Sequence, residues 1–243
     1  PTIGRFRAGD TLAAGVQQLQ DDVRRARQFA ISQRTTVYMV FCPSNFWQQA
    51  NFNSLTVAER DKAVPLYAKQ LNSYAFLTLR SVGEQPGRQS PRYLTKWISM
   101  PEGAIIPHWK FAPRLSNAER VLTNYLSYIP QNFEVHPVYG FAYTNFPFPS
   151  EDGLNFVLPY IAFNYQGQLT YDGLNPATAT DAGKEEYIPV ARGSVSSGRD
   201  ANKNPIQSEP TVMETPPGNS TNNFVLLHID KLTGRARVVK QEL

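Results

Sequence analysis

Residues 10–41 read DTLAAGVQQLQDDVRRARQFAISQRTTVYMVF, and the change of pattern inside this stretch decides the fold. Leu12, Val16, Leu19, Val23, Ala26 and Ala30 recur at intervals of four, three, four, three and four residues. At about 100° per residue they fall on one helical stripe roughly 80° wide. Asp10 is a candidate N-cap, and the stretch holds no proline and a single glycine, Gly15. About five to six continuous helical turns are therefore expected. From Thr35 the residues become Thr-Thr-Val-Tyr-Met-Val-Phe, the β-branched and aromatic composition of a buried strand.

The rest of the chain is unlike that helix. Of its 243 residues 41% are hydrophobic and 18% charged, with 19 prolines, 12 tyrosines and 14 phenylalanines, which points to a β-rich, loop-rich body with a substantial core. The net charge of +4 comes from scattered arginines and lysines, so it argues only weakly for a polyanionic partner. Cys42 is the only cysteine, which excludes an intramolecular disulfide and a cysteine-built zinc site. Its place at the end of an apolar strand predicts a buried, inert thiol. No window approaches the roughly 18–20 consecutive apolar residues of a membrane span, so the chain itself is expected to be soluble. It starts at Pro1 without an initiator methionine, so an upstream segment carrying targeting information is expected.

Beyond the first strand, Leu55–Leu71 reads as a helical turn or two capped by Thr56. Ser73–Val82 and Tyr93–Met100 read as strands, the latter closed by Pro101-Glu102-Gly103. His108–Ser150 reads as an insertion on a simpler core, with a short helix over Asn117–Tyr128 and an aromatic-proline run over Phe141–Pro149. Phe156–Tyr171 is expected to be a hairpin turning at Gln166-Gly167, and Tyr187–Ser194 a strand. Ser196–Asn223 carries little apolar material and reads as a long mobile loop. Phe224–Ile229 and Arg235–Val239 flank a turn at Asp230–Gly234 and form a closing hairpin. The expected organisation is an amphipathic helix over residues 1–34 and a β-rich domain over 35–243. The latter carries insertions at about 44–72 and 108–150 and the loop at about 196–223.

This layout resembles the globular part of type IV pilin-like proteins, and four stretches resemble the minor pseudopilins of the type II secretion system. They are Leu19–Val40 with Ala26-Arg27 at its centre, Trp97–Ile106 around Met100-Pro101-Glu102-Gly103, Ile161-Ala162-Phe163 before Gly167, and Leu232-Thr233-Gly234-Arg235 through Val239. Together they span about half of the chain. The resemblance implies an α+β, pilin-like fold, with one long N-terminal helix packed on an antiparallel sheet or two-sheet sandwich carrying loop insertions. It implies a non-enzymatic subunit, held in the bacterial inner membrane by an apolar half-helix upstream of this chain, with its globular part in the periplasm. Its partners would be other pilin-like subunits and the secretion or pilus assembly proteins. The stripe residues Leu12, Val16, Leu19 and Val23 would then position the subunit in a filament. Packing on the subunit's own sheet is the other use open to the same stripe.

Other chemistry is sparse. No GxSxG, P-loop or GxGxxG sequence is present. His108, His136 and His228 lie far apart, and none has a metal-ligand neighbour at a useful spacing. Asp21-Asp22, Glu151-Asp152 and Glu185-Glu186 read as solvated acid pairs, with Asp21 placed to meet Arg24 or Arg25 on the helix surface. No cofactor is expected. The one cation alternative is calcium at Asp172, Asn175 and Asp181, since some pseudopilins hold calcium in such a loop, although the spacing is not that of an EF-hand. Gly234-Arg235-Ala236-Arg237 resembles a pattern near the end of competence-associated minor pilins. Arg235 and Arg237, two apart on one strand face, could grip a phosphate backbone, which makes nucleic acid an alternative partner. A third alternative is a carbohydrate-binding module built on the Phe141–Phe148 aromatics, although packing in the core is the favoured use of the same residues.

Overall fold

The computed structural model describes residues 3–80, 83, 90–111, 138, 140–171 and 185–239, with side chains and burial from Thr11 onward. Helix α1 runs Ile3–Gln33, 31 residues. At 1.5 Å per residue that is about 46 Å. Asp10 is therefore interior to the helix and not its cap. Residues upstream of it only extend an existing ladder, and propagation costs far less than nucleation. The C-terminus is closed by a six-residue capping turn. The N–H of Thr35 donates to Ala30 O at 3.2 Å and that of Arg34 to Ile31 O at 3.3 Å, while Arg34 takes the left-handed conformation with φ 49°.

In chain order the strands are β1 Val37–Phe41, β2 Ser73–Thr78, β3 Arg92–Tyr93, β4 Ile98–Ser99, β5 Gly103–Ile105, β6 Ala142–Phe148, β7 Leu154–Phe163, β8 Leu169–Thr170, β9 Glu186–Ser196, β10 Thr211–Glu214, β11 Phe224–Ile229 and β12 Ala236–Val239. They form two antiparallel sheets. The first has the order β3-β2-β1-β7-β6, with β4 also on β2 and β8 also on β7. The second has the order β10-β9-β11-β12, with β5 also on β9. Helix and antiparallel sheet together make the protein α+β.

The pleat of the first sheet explains its layers. Register sets Met39 opposite both Phe76 and Ile161, so these three share one face. That face meets α1, with the rings of Phe29 and Phe76 6.1 Å apart. Tyr38, Phe146, Phe156 and Tyr160 share the other face, and Tyr38 lies 5.1 Å from Phe146 and 5.8 Å from Tyr160 in edge-on contacts. The segment at 44–72 covers this second face. Phe46 packs 4.9 Å from Phe148, and Phe52 packs 6.5 Å from Phe156. Within it, helix α2 spans Val57–Ala63 and is capped by Thr56, whose hydroxyl accepts from the Glu59 N–H at 3.3 Å. β1 is buried along its whole length because both of its faces are covered.

Three expectations need correction. Tyr93–Met100 is not one strand: β3 and β4 pair opposite ends of β2, and between them Thr95 turns its hydroxyl in to accept from the Phe76 N–H at 2.9 Å. Residues 142–148 are not an insertion, since β6 pairs β7 over its full length from Ala142↔Tyr160 to Phe148↔Leu154. The aromatic run packs in the core, the favoured of its two sequence readings, with Phe141, Phe146 and Phe148 fully buried. Finally, residues 196–223 are not without structure. β10 and β11 pair successive halves of β9, and between them Thr215 N–H and the Asn219 amide both donate to Arg192 O, at 3.1 and 2.9 Å. Polar bonding orders this segment where apolar burial does not. The helix expected over Asn117–Tyr128 lies outside the described residues.

Candidate functional site

The stripe on α1 is used inside the subunit. Leu19, Val23, Ala26 and Ala30 are completely buried, Val16 nearly so, and Leu12 half-buried against the core. Small residues bring the helix close to the second sheet: a methyl group on Gly15 would stand 2.3 Å from Ala104 Cβ of β5. The helix touches β1 and β7 of the first sheet and β5, β9, β11 and β12 of the second. Val16, Leu19 and Val23 therefore join the helix to its own sheets and are not accessible to a neighbour. This corrects their assignment as assembly contacts. The helix face left open carries Ala13, Ala14, Gln17, Asp21, Arg24 and Gln28. Asp21 and Arg24 pair there at 3.0 Å as the spacing predicts, an exposed contact of little energetic weight.

Polar side chains fix the helix in register. Tyr74 donates its hydroxyl to Asp22 Oδ2 at 2.7 Å, Gln20 donates to Ala236 O at 3.1 Å, and Arg27 Nε donates to both Gly167 O, at 3.1 Å, and Thr233 O, at 2.7 Å. Arg27 thus ties α1 to the β7–β8 turn and the β11–β12 turn at once. Three of the stretches that suggested the family resemblance meet at this point.

Arg235 and Arg237 are both exposed, and Arg237 lies on β12 opposite His228 of β11. Arg237 is already engaged, because its Nε donates to His228 Nδ1 at 2.7 Å. His228 Nε2 meets Glu185 Oε2 at 2.7 Å, its ring stacks on Tyr187 with centroids 4.6 Å apart, and the Tyr187 hydroxyl donates to the same Glu185 oxygen at 2.8 Å. Partial burial acts to raise the Glu185 pKa. The hydrogen bonds from Tyr187 and His228 outweigh it and hold the carboxyl below the usual glutamate range. No sequence spacing pointed to this Glu185–Tyr187–His228–Arg237 cluster, because its members meet only through the pairing of β9, β11 and β12. Glu185 is therefore a hydrogen-bonded acid and not the solvated one its sequence suggested.

Asp172, Asn175 and Asp181, the calcium alternative, lie outside the described residues, as does His136. Among the described residues no group of three or more His, Cys, Asp or Glu side chains could hold a metal ion. Cys42 is completely buried, and burial pushes its thiol up. A second polar cluster, unanticipated from the sequence, lies in the interior, where Lys110 pairs with Glu186. Among the described residues no helix is long and apolar enough to cross a membrane. No family model, curated protein or solved structure matches this chain.

Proposed function

We propose that this chain is the globular part of a structural minor pseudopilin or minor pilin, without enzymatic activity, that works by assembly. On this reading an apolar half-helix upstream holds the subunit in the bacterial inner membrane, and the α+β body projects into the periplasm. There it joins other pilin-like subunits in a pseudopilus or pilus tip serving protein secretion. The observation that supports this most is α1 itself. One face of a helix about 46 Å long is committed to two sheets of the same subunit, while Ala13, Ala14, Gln17, Asp21, Arg24 and Gln28 line an open face along its length. A helix that continued upstream would present this face to the helices of neighbouring subunits.

The reading is tested in the source cell. Ala14→Cys places a reactive thiol on the open face, and buried Cys42 does not compete with it. Cross-linking of that thiol to a second pilin-like subunit is expected, together with loss of protein secretion on deletion of the gene. Secretion unchanged by the deletion, with no cross-linked partner, would overturn the proposal.

A further inference from the structure

Lys110 and Glu186 form an ion pair in which both side chains are 0% exposed. Lys110 sits in a 3-10 turn at His108–Phe111 and Glu186 opens β9, 76 residues further along the chain. The site is walled by aromatics. Lys110 Nζ lies 4.6 Å from the centroid of the buried Phe141 ring, and the Tyr171 hydroxyl donates to Glu186 Oε2 at 2.7 Å. The backbone closes it further, with the Phe141 N–H donating to Lys110 O at 3.0 Å. Two full charges in such surroundings are held at a large desolvation cost, and the pair stands in a fixed mutual orientation with water excluded. An amine and a carboxyl group in direct contact, without water, are the two halves of an amide.

We propose that Lys110 and Glu186 condense to an intramolecular isopeptide bond between Nζ and Cδ. One proton passes from the Lys110 ammonium to Glu186 Oε1 within the contact, leaving a neutral amine beside a carboxylic acid. The nitrogen lone pair attacks Cδ, and the Tyr171 hydroxyl stabilises the negative charge that develops on Oε2. Oε1 then leaves as water, carrying its own proton and one from Nζ, while the C–N bond remains. No oxidant, reductant or co-reactant is consumed. The product is neutral, so both buried charges disappear, and exclusion of water protects the amide from hydrolysis. The link joins β9 of the second sheet to the turn hydrogen-bonded at the root of β6 in the first.

The intact, denatured protein gives the test by mass spectrometry. The expected mass is lower than that of the sequence by one water, about 18 Da, and proteolysis yields the Lys110 peptide joined to the Glu186 peptide. Lys110→Arg keeps the positive charge but offers a guanidinium in place of an amine, so it restores the full mass. The full sequence mass in the unmodified protein overturns the proposal, whether or not the variant folds. A mass loss with the two peptides recovered separately also overturns it, because the water was then lost elsewhere.

Discussion

Gly234 is packed against Gly167 so closely that a methyl group on Gly234 would stand 2.0 Å from the Gly167 carbonyl oxygen. Each glycine takes a positive φ, 60° and 77°, in the turn of its own hairpin. Arg27 of α1 bonds to Gly167 O and Thr233 O beside them. Two turns, 67 residues apart by their numbering, 234 less 167, thus share one anchor on the helix.

That contact predicts a strong position effect. Gly234→Ala combines left-handed backbone strain with collision against a carbonyl that cannot swing away, and is expected to cost about 2–4 kcal/mol. Gly218 also has a positive φ, 78°, but its nearest obstacle is the end of the Asn222 side chain at 3.2 Å. Gly218→Ala should cost about 1 kcal/mol. Urea unfolding of the two variants measures the difference, and equal costs would show that backbone conformation alone matters.

Arg34 carries the left-handed residue of the helix cap with a β-carbon in place. Arg34→Gly removes that steric penalty while loosening the unfolded chain, and the balance favours the variant by about 0.5–1 kcal/mol. A raised midpoint in urea with unchanged slope is the expected result.

Gln49 closes a free strand edge. Its side-chain amide donates to Val157 O at 3.0 Å and accepts from the Val157 N–H at 2.9 Å, on the stretch of β7 that β1 does not reach. Gln49→Ala should lower stability by about 1 kcal/mol and uncover a pair of strand-edge groups. Light scattering across a concentration series should show self-association in the variant and none in the parent.

Glu185 gives the protein an acid-side stability limb. Its carboxyl has a lower pKa folded than unfolded, so the unfolded chain takes up the proton first as pH falls. Its stabilising contribution is complete well above the ordinary glutamate value of about 4.3 and is lost as pH drops through the folded value. Glu185→Gln should flatten the stability profile on the acid side, as pH falls below the ordinary glutamate value of about 4.3. An identical acid slope in parent and variant would refute this.

Cys42 should be silent to a thiol reagent in the folded protein and react at the rate of unfolding, because its thiol is both buried and held protonated. Reaction kinetics followed with increasing urea measure this directly.

The elements readable from the sequence were those whose signal is apolar periodicity. The four-three spacing gave α1, β-branched and aromatic runs gave β1, β2, β7 and β11, and the Asp230–Gly234 turn gave the closing hairpin. What escaped was governed by polar bonding or by partners distant in the chain. β10 hid in a polar stretch because its stability comes from pairing with β9, and the loop before it is ordered by side chains such as Asp200, which accepts from the N–H groups of Asn202 and Asn204. β6 looked like an insertion because Pro147 and exposed Asn145 masked the alternation that buries Phe146 and Phe148. Neither polar cluster was legible, since Glu185 meets His228, and Lys110 meets Glu186, only after β9 has taken its place in the second sheet.

The helix that carries both sheets also decides how the molecule bears load. Because β1 and β7 grip it from one sheet and β5, β9, β11 and β12 from the other, a pull along its axis is resisted in shear by both sheets at once. Extracting it requires many side-chain and backbone contacts to fail together rather than one after another. Gripped from both sheets, α1 is the tensile member of the fold.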